Sequence, residues 1–248
     1  PEDRDFIPFH RALIGDDDIN AVIETLKTGW ITTGPKVKEF EAAFAEKLGV
    51  KHAVAVSSCT AAMHLAVASL GLKPGDEVIT TPYTFVATGE AIMYQGAKPV
   101  FVDVQPGDAN IDPERIEAAV TDKTVGIMPV HIAGIPAAMD DIMKIAQLHD
   151  FWVVEDCAHS VETVYKGRPS GTIGNAGAFS FYATKNITTA EGGMVISDDE
   201  DLADRIRHRS LHGMSRDAWK RYTSTGSWYY EITTQGYKYN LPDVLAPL

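Results

Sequence analysis

From residue 53 onward, short runs of β-branched and other apolar residues alternate with stretches of helical spacing, and this alternation limits the fold more than any other feature. Candidate strands are 53–56, 77–80, 99–104, 124–130, 151–155, 177–181 and 193–197, and helical stretches at 60–70, 84–95, 113–120 and 139–149 lie between the earlier ones. Strands joined through helices pair in parallel, and a parallel sheet has to be covered on both faces. The expected fold is therefore α/β, a mostly parallel seven-stranded sheet sandwiched by helices. In such sheets the ligand sits outside the carboxyl ends of the strands, where loops carry the chemistry.

Two amphipathic helices precede the alternation. Asp16 to Asp18 supplies an N-cap and first-turn acids, and Ile19, Val22, Ile23 and Leu26 recur as one apolar stripe. Gly29 ends that run as a C-terminal glycine does. Val37, Phe40, Phe44 and Leu48 form the second stripe, closed by Gly49. After Leu211 the pattern loosens into a polar, aromatic-rich stretch, 224–239, with no assignable element.

Charge and cysteine content narrow the function classes. The formal net charge of −12 is not that of a nucleic-acid binder, which needs a concentrated basic surface. A few local donors can still hold one phosphate. No apolar run approaches the ~18 residues of a membrane span, so no membrane partner is expected. Pro1 to Asp5 is charged and no apolar h-region follows it. Cys59 and Cys157 lie in apolar or small-residue contexts without metal-ligand spacing, and two free thiols suit a reducing compartment. The expectation is a cytoplasmic protein with no metal.

Three segments carry the candidate chemistry. In Val56-Ser57-Ser58-Cys59-Thr60-Ala61-Ala62 a strand runs into small polar residues at a helix start. Exposed backbone N–H groups and the helix dipole make such a turn an anion site, although the segment taken alone reads first as Ser58 or Thr60 capping the helix. In Val153-Val154-Glu155-Asp156-Cys157-Ala158-His159 an acid ends an apolar strand, where a charge needs a partner. A pyridinium nitrogen would be one, and the pair would keep such a ring protonated and electron-withdrawing. In Phe179-Ser180-Phe181-Tyr182-Ala183-Thr184-Lys185-Asn186, Lys185 follows an apolar strand and precedes Ala190-Glu191-Gly192-Gly193, so it projects into the same strand-end cleft. A lone lysine is ordinarily a solvated surface residue, and it becomes a nucleophile only when burial or nearby cations lower its pKa. The order of the three segments singles it out.

With these segments in view, the chain resembles the DegT/DnrJ-type sugar-nucleotide aminotransferases of the aspartate-aminotransferase superfamily. The likeness runs from Trp30-Ile31-Thr32-Thr33-Gly34-Pro35-Lys36 to Gly236-Tyr237-Lys238-Tyr239-Asn240 and includes Pro129-Val130-His131, Glu155-Asp156 and Lys185-Asn186-Ile187-Thr188. It is strongest to enzymes that aminate C4 of a UDP-linked 4-keto-pentose in lipid A modification. The resemblance implies the large domain of the fold-type-I transferases, the cofactor pyridoxal 5′-phosphate, and three catalytic residues, Lys185, Asp156 and His159. Lys185 would carry the cofactor as a Schiff base and shuttle the proton, Asp156 would pair with the pyridine nitrogen, and His159 would lie on the ring-hydroxyl side. Phe85 would stack on the ring, the bland alternative being a core aromatic at a helix start. Thr60, the backbone at Ala61 and Ser180 would contact the phosphate, joined by Asn240 from the other subunit of a homodimer.

The implied substrates are an amino-acid donor, glutamate by analogy, and a nucleotide-linked 4-keto sugar. Amination at C3 and a non-catalytic, cofactor-binding or regulatory fragment are the alternatives. Family members that deoxygenate a sugar carry histidine in place of the lysine, so Lys185 argues against that chemistry. Residues 1–30 are expected as a helical segment and 31–240 as the cofactor-binding domain. Residues 241–248 would begin a smaller domain that this chain lacks. Pro242 departs from the arginine that the family usually carries there.

Overall fold

The computed structural model describes residues 7–214 and 230–248. Pro1 to Asp5, and residues 224–229 of the unassigned stretch, lie outside the described residues. Two helices, α1 (Asp16–Lys27) and α2 (Pro35–Leu48), lead into β1 (His52–Val56), α3 (Cys59–Ser69), β2 (Glu77–Thr80), α4 (Ala87–Met93) and β3 (Lys98–Phe101). Then come α5 (Pro113–Ala119), β4 (Thr124–Ile127), α6 (Met139–His149) and β5 (Trp152–Asp156). A small hairpin, β6 (Val164–Tyr165) and β7 (Arg168–Pro169), precedes β8 (Ala176–Ser180), β9 (Gly193–Ser197) and α7 (Glu200–Ser210).

The seven-stranded sheet expected from the sequence is present, in the order β1-β9-β8-β5-β4-β2-β3. Pairings among β2, β3, β4, β5 and β8 are parallel, and β9 runs antiparallel to both neighbours, β1 and β8. Val54, Val56, Ile79, Ile127, Val153 and Val154 are all buried, as the strands of a doubly covered sheet must be. One core cluster joins α3 and α4 to the sheet, a second lies under α2, and a third lies under α5 and α6. Helix α3 is buried almost all round, which explains why its sequence has no polar face.

Some boundaries differ from the sequence reading, for local reasons. The strand expected at 124–130 stops at Ile127, because the chain leaves β2 for β5: Met128 N–H donates to Ile79 O (2.8 Å), and Asp156 N–H to Pro129 O (2.9 Å). Pro129 has no N–H to continue a ladder. The helix expected from residue 84 begins at Ala87, leaving Thr84, Phe85 and Val86 in the loop that follows β2. Helix α7 escaped the reading, although its signals were present: Asp199 caps it, accepting from Leu202 N–H (3.0 Å), and Arg207 to Arg209 close its last turn. On α1, Ile19, Ile23 and Leu26 are exposed in the chain rather than packed.

Residues 240–243 return to the start of the domain. The Asp243 carboxylate accepts from the N–H groups of Gly34 (2.6 Å), Lys36 (3.0 Å) and Val37 (3.0 Å), and so caps α2 from more than 200 residues away. Leu241 is buried in the cluster beneath α2.

Candidate active site

Loops at the carboxyl ends of β1, β2, β4, β5 and β8 enclose a cavity of about 720 Å³, lined among others by Ser58, Thr60, Phe85, Thr88, Asp156, His159, Ser180 and Lys185. That volume is in the range of small-molecule sites. A second cavity of about 810 Å³ lies between α5 and α6, away from these strand ends, and holds none of these residues.

Helix α3 points its first turn at the cavity. Ser58 is its N-cap, its hydroxyl accepting from Ala61 N–H (3.1 Å). Thus the capping alternative holds for Ser58, and the Ala61 N–H already has a partner, while Thr60 lines the cavity. A Cβ on Gly193 would stand 2.4 Å from the Ser58 carbonyl carbon, so β9 requires glycine there for this turn to lie against it. Ser180, at the end of β8, is nearly buried and also faces the cavity.

Asp156 ends β5 and is 4% exposed. One carboxylate oxygen accepts from Ala158 N–H (3.1 Å) and the other from the Thr88 hydroxyl (2.8 Å). Lys185, half-buried, stands on the loop after β8 and lines the same cavity. The charges of both reach the neighbouring side chains. Desolvation pushes the Cys59 thiol far above its usual range, Asp156 pushes it further, and Lys185 opposes. The His159 imidazole is lowered by desolvation first and by Lys185 next, against Asp156. Ala133 N–H donates to His159 Nδ1 (3.3 Å), so the neutral ring carries its proton on Nε2.

Phe85 is 76% exposed at the mouth of the cavity, which removes the core-aromatic alternative. Asn240 does not line the cavity. Its amide donates to Thr33 Oγ1 (2.7 Å) and its backbone bridges to Val56, beside the start of α3. Thr84, Thr88, Met63, Ile132 and Tyr182 also line the cavity and were missed. The i, i+4 threonines beyond the end of β2 were the available signal for the first two.

His131, Glu155 and Cys157 lie within 4.8 Å of one another in the manner of metal ligands. The protein itself saturates two of them. Glu155 accepts from His131 Nε2 (2.9 Å) and from the N–H groups of Gly171 (2.8 Å), Ile173 (2.7 Å) and Gly174 (2.7 Å), while His131 Nδ1 accepts from Ala137 N–H (3.1 Å). This buried staple holds the 131–137 loop and the 171–174 turn beneath the site.

A helix N-terminal turn, a buried carboxylate, an amine and an exposed aromatic ring thus share one cavity. That set suits a flat, nitrogen-containing ring with an anionic tail and a group that reacts with amines. Comparison with known proteins points the same way. The model of the DegT/DnrJ/EryC1/StrS aminotransferase family matches residues 12–248. The spore coat polysaccharide biosynthesis protein SpsC of Bacillus subtilis is 55% identical over 243 residues, covering 98% of this chain and 62% of its own. Among solved structures, the PMP-form of the putative sugar aminotransferase Spr1654 from Streptococcus pneumoniae superposes with a TM-score of 0.92 at 38% identity, over 98% of this chain and 66% of that one. DesI, solved in the presence of its TDP-sugar product, gives 0.83 at 35% identity, over 95% and 57%. The chain spans 62–63% of the length of the curated relatives it matches.

Proposed function

This chain belongs to the DegT/DnrJ/EryC1/StrS aminotransferase family, and from that premise we propose that it works as a pyridoxal-phosphate-dependent aminotransferase, moving an amino group from an amino acid, glutamate, to a nucleotide-linked 4-keto sugar. The observation that carries the reading is the buried Asp156 sharing one cavity with Lys185 and the first turn of α3. Pyridoxal phosphate, when bound, supplies a carbonyl that condenses with amines and a conjugated ring that draws electron density from the amine-bearing carbon.

The donor set fits that group. Asp156 would accept from the ring nitrogen and keep it protonated. Thr60, Ser180 and the α3 N-terminus hold the phosphate, with Asn240 of the second subunit of a homodimer completing the shell. Phe85 would cover one face of the ring, and His159 would offer its Nε2–H to the ring hydroxyl. Lys185 would hold the cofactor through its amine and would carry the proton to and from the carbon that gains or loses nitrogen. Residues 31–240 form the cofactor-binding domain in this reading, with 1–30 as a helical arm and 241–248 leading toward a smaller domain. The two buried free cysteines suit work in the cytoplasm.

The named relatives support the sugar class: SpsC through its polysaccharide pathway and DesI through its TDP-sugar. The test has two arms. Borohydride reduction and peptide mapping should place the cofactor on Lys185; an adduct on Lys36 or Lys166 overturns the assignment. A panel of nucleotide-linked 4-keto and 3-keto sugars with glutamate should give amination of the 4-keto compounds. Preference for 3-keto compounds moves the reaction to C3, and no amination of any overturns the sugar reading.

A further inference from the structure

The Asp156 carboxylate is held by a threonine pair that no part of the functional reading uses. Thr88 is fully buried on the first turn of α4, and its hydroxyl lies 2.8 Å from Asp156 Oδ2 and 2.7 Å from the Thr84 hydroxyl. A carboxylate only accepts, and a threonine hydroxyl has one proton. The Thr88 proton therefore goes to Asp156, and the Thr84–Thr88 bond is donated by Thr84. The chain of hydroxyls runs in one direction, from Thr84 through Thr88 to Asp156. The ordinary behaviour of a helical threonine, donating back to the carbonyl three residues earlier, is available in Phe85 O at 3.3 Å, but the shorter, charge-assisted bond prevails.

We propose that Thr88 and Thr84 are positioning residues that aim Asp156 at the cofactor ring nitrogen and register it with the loop bearing Phe85; this rests on the functional reading above. With Thr88 O–H on one oxygen and Ala158 N–H on the other, the carboxylate plane is fixed. Its remaining lone pairs then face the cavity in a set direction. Thr84 immediately precedes Phe85, so the group meeting the ring's edge and the group covering its face are tied through two hydroxyls. A ring nitrogen and a ring face have fixed relative geometry, and this link imposes the same relation on the protein before anything binds.

The test is a double-mutant cycle on the cofactor-loaded protein, using the isosteric Thr88→Val, the hydroxyl-retaining Thr88→Ser and Asp156→Asn. The readouts are the cofactor dissociation constant, the visible absorption of the bound cofactor, and kcat against donor KM. Thr88→Val is expected to weaken cofactor binding and lower kcat by roughly 10-fold or more, the worth of one hydrogen bond to a charged group. Donor KM should change little, and circular dichroism should stay that of the parent. Thr88→Ser should restore binding and absorption. In the Asp156→Asn background, Thr88→Val should add almost nothing, because its effect passes through Asp156. Additive losses, or failure of serine to rescue, would overturn the positioning role and reduce Thr88 to packing. Parent-level behaviour of Asp156→Asn alone would instead overturn the assignment of Asp156 in the functional reading, and the positioning role with it. Thr84→Val should give a smaller loss in the same direction; a loss larger than that of Thr88→Val reverses the proposed order of donors and overturns it.

Discussion

Lys185 stands on a loop, yet the loop is not free to wander. Its base is pinned where the Phe181 carbonyl accepts both Thr189 N–H (3.0 Å) and the Thr188 hydroxyl (3.0 Å), and Tyr182 O accepts Lys185 N–H (2.9 Å). In the proposed reaction, a loop backbone held this way would return the lysine amine to the same carbon in every cycle. Lys185→Ala should therefore cost about 10²- to 10⁴-fold in transamination, the usual worth of a positioned acid–base group. Cofactor should still be retained through the phosphate and Asp156 contacts. Single-turnover measurements with glutamate check this, and a loss under about 10-fold would move the proton-transfer role elsewhere. The sequence put Lys185, Asp156 and Thr60 near strand ends, and the fold lines one cavity with all three. Thr88 was not legible in the sequence, because its partner lies 68 positions away and only folding brings them together.

At the scale of elements, the turn into α3 depends on a close approach that sequence spacing cannot show. Gly193→Ala would drive a methyl group into the Ser58 backbone. We expect a stability loss of about 1–3 kcal/mol, together with weaker cofactor binding as the turn is displaced. Denaturant midpoints and cofactor titration of the variant measure both, and unchanged binding would show that the turn plays no part in holding the cofactor. Helix α3 makes a second prediction, on pH. His64 is 3% exposed, contacts Tyr239 Oη (3.2 Å) and the Gln95 amide (2.6 Å), and has its pKa lowered to about 4 by burial. The unfolded histidine titrates near 6.5, so between the two values only the unfolded chain binds the proton. The contribution is present above about pH 6.5 and is lost as pH falls toward 4, on the order of 3 kcal/mol in all. His64→Gln should flatten the fall in stability between about pH 7 and pH 5; a variant as steep as the parent would exclude His64 as its source. The strand and helix pattern itself was legible, since burial on both sheet faces writes continuous apolar runs into the sequence. The exceptions were the early end of β4 at Pro129, the loop before α4, the short β6–β7 hairpin and the whole of α7.

For the whole molecule, one group of exposed apolar residues is the surface on which the proposed homodimer would close. Phe85, Val86, Met93, Tyr94 and Phe101 are all exposed around α4 and β3, and soluble chains seldom leave such residues grouped without a partner. We expect a C2 homodimer, which makes any exchange of Asn240 reciprocal. Light scattering of the cofactor-loaded protein should give twice the chain mass, and Met93→Glu should shift it toward monomer; a parent that is monomeric throughout overturns both the dimer and the shared phosphate shell. No described helix is long and apolar enough to cross a membrane. The capping of α2 by Asp243 bears on how the molecule is made. A ribosome adding about 5–20 residues per second delivers Gly34 to Val37 some ten seconds or more before Asp243 emerges. Over that interval the start of α2 lacks its acceptor, and β1 waits for β9. The segment from α2 to β1 therefore completes its folded contacts only after residues 193–243 have been made.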